Sequence, residues 1–298
     1  MLKEGDKVAF VSPSGWIEKK ALVHALNWFE KQGLTVVFGR HAFDVDGYEA
    51  GKAKDRAADI NEAFADESIK ALFCTRGGAG SLKVLKYLDY EMIKNHKKPV
   101  FGLSDSTALQ NALYAKTGLV SYTGFLPAYD FKGPVPDYIL EQSLLQVFGS
   151  KSQTYGLFKT LNEGVAEGGL IGGCLSVFAL LFGTEYMPDL EDKILVLEDV
   201  GEKTYRIDLM LEALKLQKGF DKVRAIIFGA FTNCLEADEG DGTVDEILKK
   251  FASSVTVPVV KDFEYGHIKT RFLLPIGGRI YLKTQKIEIQ ELDARCQR

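Results

Sequence analysis

The sequence is poor in cysteine, in basic charge and in long apolar runs. Four cysteines in 298 residues, none of them in a Cys-x-x-Cys pair, argue against a disulfide framework and against a zinc site. The net charge is -4, whereas binding to a nucleic acid polymer requires an excess of basic residues, so we expect no nucleic acid partner. No stretch approaches the roughly 20 apolar residues that span a bilayer, so we expect no membrane partner.

The amino terminus also has little that would serve as a targeting signal. Its apolar run at residues 8–11 is shorter than the core of a secretory signal peptide, which needs about 7–15 apolar residues. We therefore expect a cytoplasmic protein.

What the chain does have is ample material for a hydrophobic core, since 46% of its residues are hydrophobic. In residues 1–125, short apolar runs alternate with amphipathic stretches. This alternation predicts an amino-terminal α/β domain, a parallel sheet with helices on both faces. The predicted strands are 8–11, 34–38, 69–74 and 99–103, and the predicted helices are 21–29, 53–66 and 82–88.

The periodicity then weakens, and we interpret residues 126–165 as a connector with a loop at 131–136 and a pair of strands within 153–161. Residues 166–298 are predicted to form a second, smaller α/β domain. Its predicted strands are 193–197, 225–228 and 255–260, its helices 207–216 and 244–251, and its terminal hairpin 280–282 with 286–290.

The first candidate for chemistry is Ser104, on a turn between an apolar strand and a helix. A serine there projects from the sheet beside backbone N–H groups and the positive end of a helix dipole. That placement suits a nucleophile, because the oxyanion formed on attack needs such donors. The alternative is that Ser104 or Asp105 only caps the helix.

A glycine-rich turn, RGGAG at 76–80, follows the predicted strand that ends at Cys74. Clustered glycines let backbone N–H groups converge on an anion, but the spacing matches neither the P-loop nor the dinucleotide fingerprint. Gly77 or Gly78 could donate to an oxyanion, and Arg76 could pair with a substrate carboxylate. The alternative is a tight turn that binds no ligand.

Three acids follow the apolar run 194–197, namely Glu198, Asp199 and Glu202. The end of a buried strand is where α/β proteins assemble their sites. We expect one of these acids to belong to a site and the other two to be bystanders.

Among four histidines, His267 is the one that follows a strand and a glycine. A serine needs a base to become nucleophilic near neutral pH, and histidine is the usual base. The alternative is a hydrogen-bonded loop histidine. Because Ser104, Glu198 and His267 each follow an apolar run, we expect them to meet at one edge, as in a catalytic triad.

These residues resemble the LD-carboxypeptidase family of serine peptidases, which includes muramoyl-tetrapeptide carboxypeptidases and microcin C self-immunity peptidases. The resemblance runs nearly end to end. It covers VSPSG at 11–15, RGGAG at 76–80, GLSD at 102–105, GGCL at 172–175, LEDVGE at 197–202 with Tyr205 and Arg206, and Gly266-His267 before LPIG at 274–277.

The resemblance implies Ser104 as the nucleophile, His267 as general base and then acid, and Glu198 as the group that orients the imidazole. It implies a two-domain α/β architecture in which the first domain carries the serine and the second the other two triad members. It also implies a homodimer and a reaction without metal or cofactor.

The oxyanion hole implied by the resemblance is built from backbone N–H groups of Asp105 and of Gly77 or Gly78. The implied reaction removes the terminal D-alanine of a murein tetrapeptide by cutting an L-to-D peptide bond, a step in cell-wall recycling. The expected partner is thus a small peptide or muropeptide, with Arg76 as our candidate for binding its terminal carboxylate.

Two alternatives remain beside this reaction. The first is hydrolysis of an aminoacyl-nucleotide amide of the microcin type, which an aromatic residue stacked on the base would favour. The second is an inactive peptide-binding relative. The aromatic candidates are Trp16, Tyr122, Phe125 and Tyr129.

Two positions depart from the family pattern. The family commonly has an aromatic residue, usually tyrosine, where this chain has Ala79, and asparagine where it has Cys174. Neither is a triad position, so the chemistry is expected to survive, and both are expected to bear on the preferred acyl side of the substrate. Cys174 is expected to be buried and unreactive.

Overall fold

The computed structural model of the chain describes residues 2–149, 154–155, 158–284 and 286–289. Short apolar runs form the strands, many of which are buried along most of their length, as expected where a sheet is covered on both faces. In chain order the strands are β1 Lys7–Val11, β2 Thr35–Phe38, β3 Ile69–Cys74, β4 Val100–Gly102, β5 Ser121–Thr123, β6 Thr154–Tyr155, β7 Lys159–Asn162, β8 Val165–Cys174, β9 Lys193–Val200, β10 Ala225–Thr232, β11 Val259–Lys261, β12 Leu274–Ile276, β13 Arg279–Lys283 and β14 Lys286–Ile289.

The first sheet has the order β12-β5-β4-β3-β1-β2. Its neighbouring strands are parallel except for β12, which pairs antiparallel with β5. The predicted parallel sheet is therefore confirmed. Its outer strand β12 comes from the far end of the chain, a pairing that the sequence pattern did not indicate.

The second sheet has the order β6-β14-β13-β8-β9-β10-β11-β7. Strands β8 to β11 are parallel, and the strands on either side of them run antiparallel. The terminal hairpin is confirmed as β13 with β14, although Gln290 lies outside the described residues.

The predicted strand pair within 153–161 is wrong. Both strands exist, but β6 pairs with β14 and β7 pairs with β11, at opposite edges of the second sheet. The two segments are close in sequence but hydrogen-bond to different strands. Gln153, where the prediction began, lies outside the described residues.

The helices agree with the predicted alternation and add several elements. They are α1 Val23–Lys31, α2 Ala53–Ala65, α3 Ser81–Val84, α4 Tyr90–Asn95, α5 Ser106–Thr117, α6 Pro127–Asp130, α7 Tyr138–Phe148, α8 Leu175–Ala179, α9 Thr204–Lys215 and α10 Val244–Ser253, with single 3₁₀ turns at Lys19–Leu22, Leu85–Tyr87 and Phe220–Lys222. The predicted helix 82–88 is thus a short α-helix continued by a 3₁₀ turn.

Helix α7 was not predicted and lies in the segment interpreted as a connector. The Asp137 carboxylate caps it by accepting the Ile139 N–H at 3.2 Å. Glu141 accepts a hydrogen bond from the Trp28 indole at 2.7 Å, and Phe148 packs against the Trp28 ring. The helix therefore covers the aromatic core of the first sheet, and the predicted domain boundaries at 125/126 and 165/166 stay predictions.

Among the described residues no helix is long and apolar enough to cross a membrane. Cys74, Cys174 and Cys234 are buried free thiols, while Cys296 lies outside the described part of the chain.

Candidate active site

The turn at residues 103–105, which we call the serine turn, joins β4 to α5. Ser104 has a left-handed backbone conformation with φ +66°, which costs free energy for a residue other than glycine. The Ser106 hydroxyl donates to the Leu103 carbonyl at 2.7 Å, and the Thr107 N–H donates to the Ser104 carbonyl at 2.9 Å. The turn thus holds a strained serine at the carboxyl edge of the first sheet, a placement typical of nucleophiles.

Asp105 does not cap α5 with its side chain, so that alternative is wrong for Asp105. Its carboxylate instead accepts the Ser81 N–H at 2.7 Å, and the Ser81 hydroxyl donates to the Asp105 carbonyl. Burial is the main cause that raises the pKa of Asp105 above its usual 3.8. Asp105 therefore fastens the serine turn to the start of α3.

The segment 75–80, which we call the glycine turn, lies beside Ser104. A Cβ atom at Gly77 would be 2.9 Å from the Ser104 hydroxyl oxygen, so only glycine fits there. The Gly15 N–H donates to the Gly77 carbonyl at 3.2 Å, and Arg76 donates to the Trp16 carbonyl at 2.9 Å. The segment after β1 and the glycine turn are thereby held together.

Arg56 is a supporting residue that the sequence did not reveal. Its buried guanidinium donates to the Gly80 carbonyl at 3.1 Å and to the Pro13 carbonyl, and it pairs with Glu49 at 2.9 Å. A buried guanidinium needs such a carboxylate to offset its desolvation. The position of Arg56 on α2 does not predict burial, because an arginine in a helix usually faces solvent.

Glu198 and His267 form a buried acid–imidazole pair. Glu198 is 0% exposed, and its Oε2 atom lies 2.7 Å from His267 Nδ1 and 3.1 Å from the His267 backbone nitrogen. It lies within β9 rather than after it, because the strand continues to Val200. With Nδ1–H donating to the carboxylate, His267 Nε2 is the ring nitrogen left to accept a proton.

The segment between β11 and β12, residues 262–273, carries His267 and is called the histidine loop here. The register of β10 against β9 shifts between Phe228 and Phe231. At this irregularity the Phe263 N–H donates to the Phe228 carbonyl at 3.2 Å, and the Ala230 N–H donates to the Tyr265 carbonyl at 2.9 Å. The irregularity in β10 thus brings the histidine loop to Glu198. Bulges near active sites often position side chains in this way.

Gly266 allows the close approach of the histidine loop to Glu198. It has φ +118°, and a Cβ atom there would lie 2.7 Å from Glu198 Oε2. Any side chain at this position would force the acid and the imidazole apart. The Gly266-His267 pair noted in the sequence therefore has a steric explanation.

The two acids that follow Glu198 do not contact His267. Asp199 is buried, and its carboxylate accepts the Ser176 and Val200 N–H groups, each at 2.8 Å. Burial is the main cause that raises the pKa of Asp199 above its usual 3.8. Glu202 pairs with Arg206 at 2.8 Å on the surface, so Glu198 is the one of the three acids that hydrogen-bonds to His267.

Ser104 and His267 line one cavity of about 320 Å³, together with Arg76, Gly77, Gly78 and Tyr129. Glu198 lies behind His267, away from the cavity, and supports the ring. Neither Ala79 nor Cys174 lines this cavity in the part of the chain that the structure describes. Cys174 is buried beside Asp199, and burial raises the pKa of its thiol well above 9.0, as expected for an unreactive cysteine.

Of the four aromatic residues considered for stacking, Tyr129 lines the cavity. Its ring lies edge-on to His267, with 6.4 Å between the ring centroids. Tyr122 and Phe125 are core residues, and Trp16 presents its carbonyl to Arg76. Within the described residues, no group of three or more His, Cys, Asp or Glu side chains is arranged to hold a metal ion.

Comparisons with known proteins identify the family of this chain. The family model of the LD-carboxypeptidase N-terminal domain matches residues 8–124, and that of the LD-carboxypeptidase C-terminal domain matches residues 167–282. A probable murein peptide carboxypeptidase of Bacillus subtilis (strain 168) is 32% identical, over 95% of this chain and 90% of its own length.

Two solved structures are similar over almost their whole length. Muramoyltetrapeptide carboxypeptidase from Oxalobacter formigenes has a TM-score of 0.85 and 27% identity, over 95% of this chain and 98% of its own. The microcin C7 self-immunity protein MccF, in complex with aspartyl sulfamoyl adenosine, has a TM-score of 0.88 and 26% identity, over 97% of each chain. With both domain models matched and the fold shared from end to end, this chain belongs to the LD-carboxypeptidase family.

Proposed function

We propose that this chain is a serine carboxypeptidase that cuts an L-to-D peptide bond and releases the terminal D-alanine of murein tetrapeptides through an acyl-enzyme. The observation that carries the proposal is the shared cavity of Ser104 and His267, with Glu198 hydrogen-bonded to the far side of the imidazole. The names of the Bacillus and Oxalobacter relatives support a murein peptide as the substrate.

In the proposed acylation step, the Ser104 hydroxyl oxygen attacks the carbonyl carbon of the scissile bond while His267 Nε2 takes the hydroxyl proton. Glu198 stabilises the imidazolium and holds the ring by its Nδ1–H. His267 then gives the proton to the departing amine of D-alanine. Water, deprotonated by the same imidazole, hydrolyses the ester and frees Ser104.

The oxyanion of each tetrahedral intermediate needs N–H donors that are not already engaged. The proposed donors are the backbone N–H groups of Asp105 and of Gly77 or Gly78. In the described part of the chain these three groups donate to no other hydrogen bond. Gly77 adjoins the Ser104 hydroxyl, which favours it as one of the two donors.

Arg76 is the proposed partner of the terminal carboxylate. It lines the cavity and, within the described residues, pairs with no acidic side chain. A guanidinium can bind a carboxylate through two hydrogen bonds. Arg76→Ala should therefore raise KM for peptide acids far more than for the same peptides amidated at the carboxyl terminus, and an equal loss on both would contradict this role.

Mass spectrometry of a murein tetrapeptide after incubation with the protein tests the reaction. We expect the loss of one alanine residue, and no loss with Ser104→Ala. A wild-type protein that leaves the tetrapeptide intact would contradict the proposed substrate, and cleavage by Ser104→Ala would contradict the proposed nucleophile.

A second candidate function is hydrolysis of an aminoacyl-nucleotide amide, as the complex of MccF with aspartyl sulfamoyl adenosine suggests. The observation that favours it is Tyr129, because an aromatic ring in the cavity offers a stacking surface for a base. Incubation of the protein with a panel of peptidyl-nucleotide amides tests it. Release of the nucleotide moiety without cleavage of the tetrapeptide would select this function.

We further propose that the protein acts in the cytoplasm as a homodimer with a peptide or muropeptide as partner, as the family resemblance implies. Light scattering after size-exclusion chromatography measures the oligomeric state directly. A monomeric mass at micromolar concentration would contradict the dimer.

A further inference from the structure

Arg271 lies four residues beyond His267 in the histidine loop, and its side chain is 0% exposed. The guanidinium donates from three different nitrogens to three segments. Nε donates to the Gly124 carbonyl at 2.8 Å, Nη1 to the Ile268 carbonyl at 2.5 Å, and Nη2 to the Asp130 carboxylate. A lysine could not reproduce this arrangement, because it offers one nitrogen instead of a planar fork.

Asp130 is the counter-charge and is itself buried, with a side chain 4% exposed. Its second oxygen accepts the Leu126 N–H at 2.8 Å, which fixes the start of α6. Both carboxylate oxygens are therefore occupied by defined partners. A buried ion pair of this kind contributes little net stability on average, since desolvation of both charges opposes their attraction. The role of the ion pair is therefore better explained by the segments that it holds in place than by its contribution to stability.

The three acceptors of Arg271 connect the two halves of the site. Gly124 follows β5 of the first sheet, the sheet that carries Ser104, whereas Ile268 is the residue next to His267. On the other side of His267, the Tyr265 hydroxyl is 2.8 Å from the Thr123 hydroxyl, also at the end of β5. The histidine loop is thus attached to the first sheet both before and after its histidine.

Tyr129 links the same ion pair to the imidazole. It precedes Asp130 on α6, and the centre of its ring lies 5.4 Å from the Arg271 guanidinium carbon. The same ring lies edge-on to His267 and lines the cavity of Ser104. Any displacement of Arg271 or Asp130 therefore shifts a wall of the cavity and the loop that carries the imidazole.

We propose that Arg271, neutralised by Asp130, is a positioning residue that holds the histidine loop and Tyr129 against the first sheet, so that His267 stays aligned with Ser104. This inference rests on the proposed function, in which a hydroxyl from one sheet transfers its proton to an imidazole supported by the other. Such a transfer tolerates misplacement poorly, and about 1 Å costs roughly a hundredfold in rate.

The test uses the double variant Arg271→Met with Asp130→Asn, which removes both charges and leaves an oxygen to accept the Leu126 N–H. Replacing a buried pair by neutral groups of similar size is often tolerated, so the variant is expected to fold. We expect the rate at which a fluorophosphonate labels Ser104 to fall about a hundredfold. We also expect kcat on the tetrapeptide to fall by a similar factor with little change in KM.

A matched control separates positioning from a general loss of stability. Leu211→Ala removes a buried side chain from α9, outside the cavity, and is expected to lower the free energy of unfolding by about 2–5 kcal/mol without slowing the labelling. If Leu211→Ala slows labelling as much as the double variant does, or if the double variant labels at the wild-type rate, the inference is overturned.

Nitrogen-15 NMR of the His267 ring, assigned with His267→Ala, reads the alignment without relying on catalysis. One sharp set of ring resonances is expected in the wild type, and broadened or multiple sets in the double variant. Unchanged ring resonances would overturn the inference. If the wild type is not labelled at Ser104, or is labelled but spares the tetrapeptide, the proposed function fails while the NMR comparison still decides the role of Arg271.

Discussion

The serine turn and the Glu198–His267 pair reach the same cavity by different routes. The contacts that shape the serine turn come from its own neighbours in sequence, from the adjoining glycine turn and from Ser81 at the start of α3. Glu198 and His267 are 69 residues apart and meet only through the sheet and the irregularity in β10. The serine turn is completed within the first half of the chain, whereas the Glu198–His267 pair forms only when the second half is folded.

The two regions also differ in the unfavourable contribution that each makes to the free energy of folding. Ser104 holds a left-handed backbone conformation, a strain of about 1–3 kcal/mol for a residue of this type. Glu198 is buried, with Oε2 accepting two hydrogen bonds from His267 and Oε1 without a partner among the described residues. The serine turn carries a cost in backbone strain, whereas the Glu198–His267 pair carries a cost in desolvation of a buried carboxylate. Substitutions in the two regions should therefore change activity and stability to different extents.

The largest effect is expected from Glu198→Gln, which breaks the acid–base side and leaves the serine turn intact. An amide cannot stabilise the imidazolium, so kcat on the tetrapeptide should fall by about 10²–10⁴-fold. Steady-state kinetics measure the loss, and circular dichroism should show an unchanged fold.

Glu202→Gln is the matched control, because it neutralises an acid four residues along that pairs with Arg206 on the surface. Its kcat should equal that of the wild type. Activity retained in Glu198→Gln, or lost equally in both variants, would mean that Glu198 does not act through His267.

A smaller effect is expected from Gly77→Ala, which disturbs the serine side. The added Cβ would lie 2.8 Å from the Ser104 Cβ atom, so either Ser104 or the glycine turn must shift. A shift of this size should reduce kcat by about tenfold to a hundredfold. Gly133→Ala, where a Cβ meets no atom within 4 Å, should leave kcat unchanged. Wild-type kcat in Gly77→Ala would show that the close packing against Ser104 is not needed.

The smallest effect on catalysis is expected from Asp199→Asn, next to Glu198 but directed elsewhere. The loss of a buried acceptor should lower the free energy of unfolding by about 1–3 kcal/mol, while kcat changes little. Denaturation in urea measures the stability, with the surface variant Asp208→Asn as a control. A large loss of kcat without a loss of stability would mean that Asp199, not only Glu198, serves the imidazole.

The pH dependence of that stability difference has a definite sign. Because burial raises the pKa of Asp199, the folded wild type takes up this proton before the unfolded chain does as the pH falls. Acidification from neutral pH towards about pH 4 therefore favours the wild-type fold relative to Asp199→Asn. The gap between the two should widen as the pH falls, and a gap that narrows would show that Asp199 is stabilised as a charged group.

Much of the first sheet could be predicted from sequence because its strands are short apolar runs separated by helices with clear periodicity. The residues of the site could be nominated for the same reason, since Ser104 and the glycine turn follow β4 and β3 directly. The residue pattern suggested the roles of Ser104 and His267, and the family resemblance selected Glu198 among the three acids. The three acids after residue 197 could not be separated by the residue pattern alone, because Glu198 and Asp199 point to opposite sides of β9 and Glu202 lies beyond the end of that strand.

Several of the features that escaped prediction depend on contacts distant in sequence, although helix α7, which Asp137 caps locally, does not. Strand β12 has three residues and is recognised only by its pairing with β5. The strands β6 and β7 looked like neighbours because pairing partners are usually close in sequence. Arg56 and Arg271 gave no signal, since nothing local marks a charged side chain that will be buried.

The pairing of β12 with β5 also constrains how the chain is made. The other five strands of the first sheet lie before residue 124, yet the sheet gains its outer strand only when residues 274–276 arrive. On a ribosome, the edge of β5 would stay uncovered after the first five strands are made, until residues 274–276 are synthesised. An uncovered edge invites pairing with other chains, so the arrival of β12 removes a site of intermolecular pairing at β5.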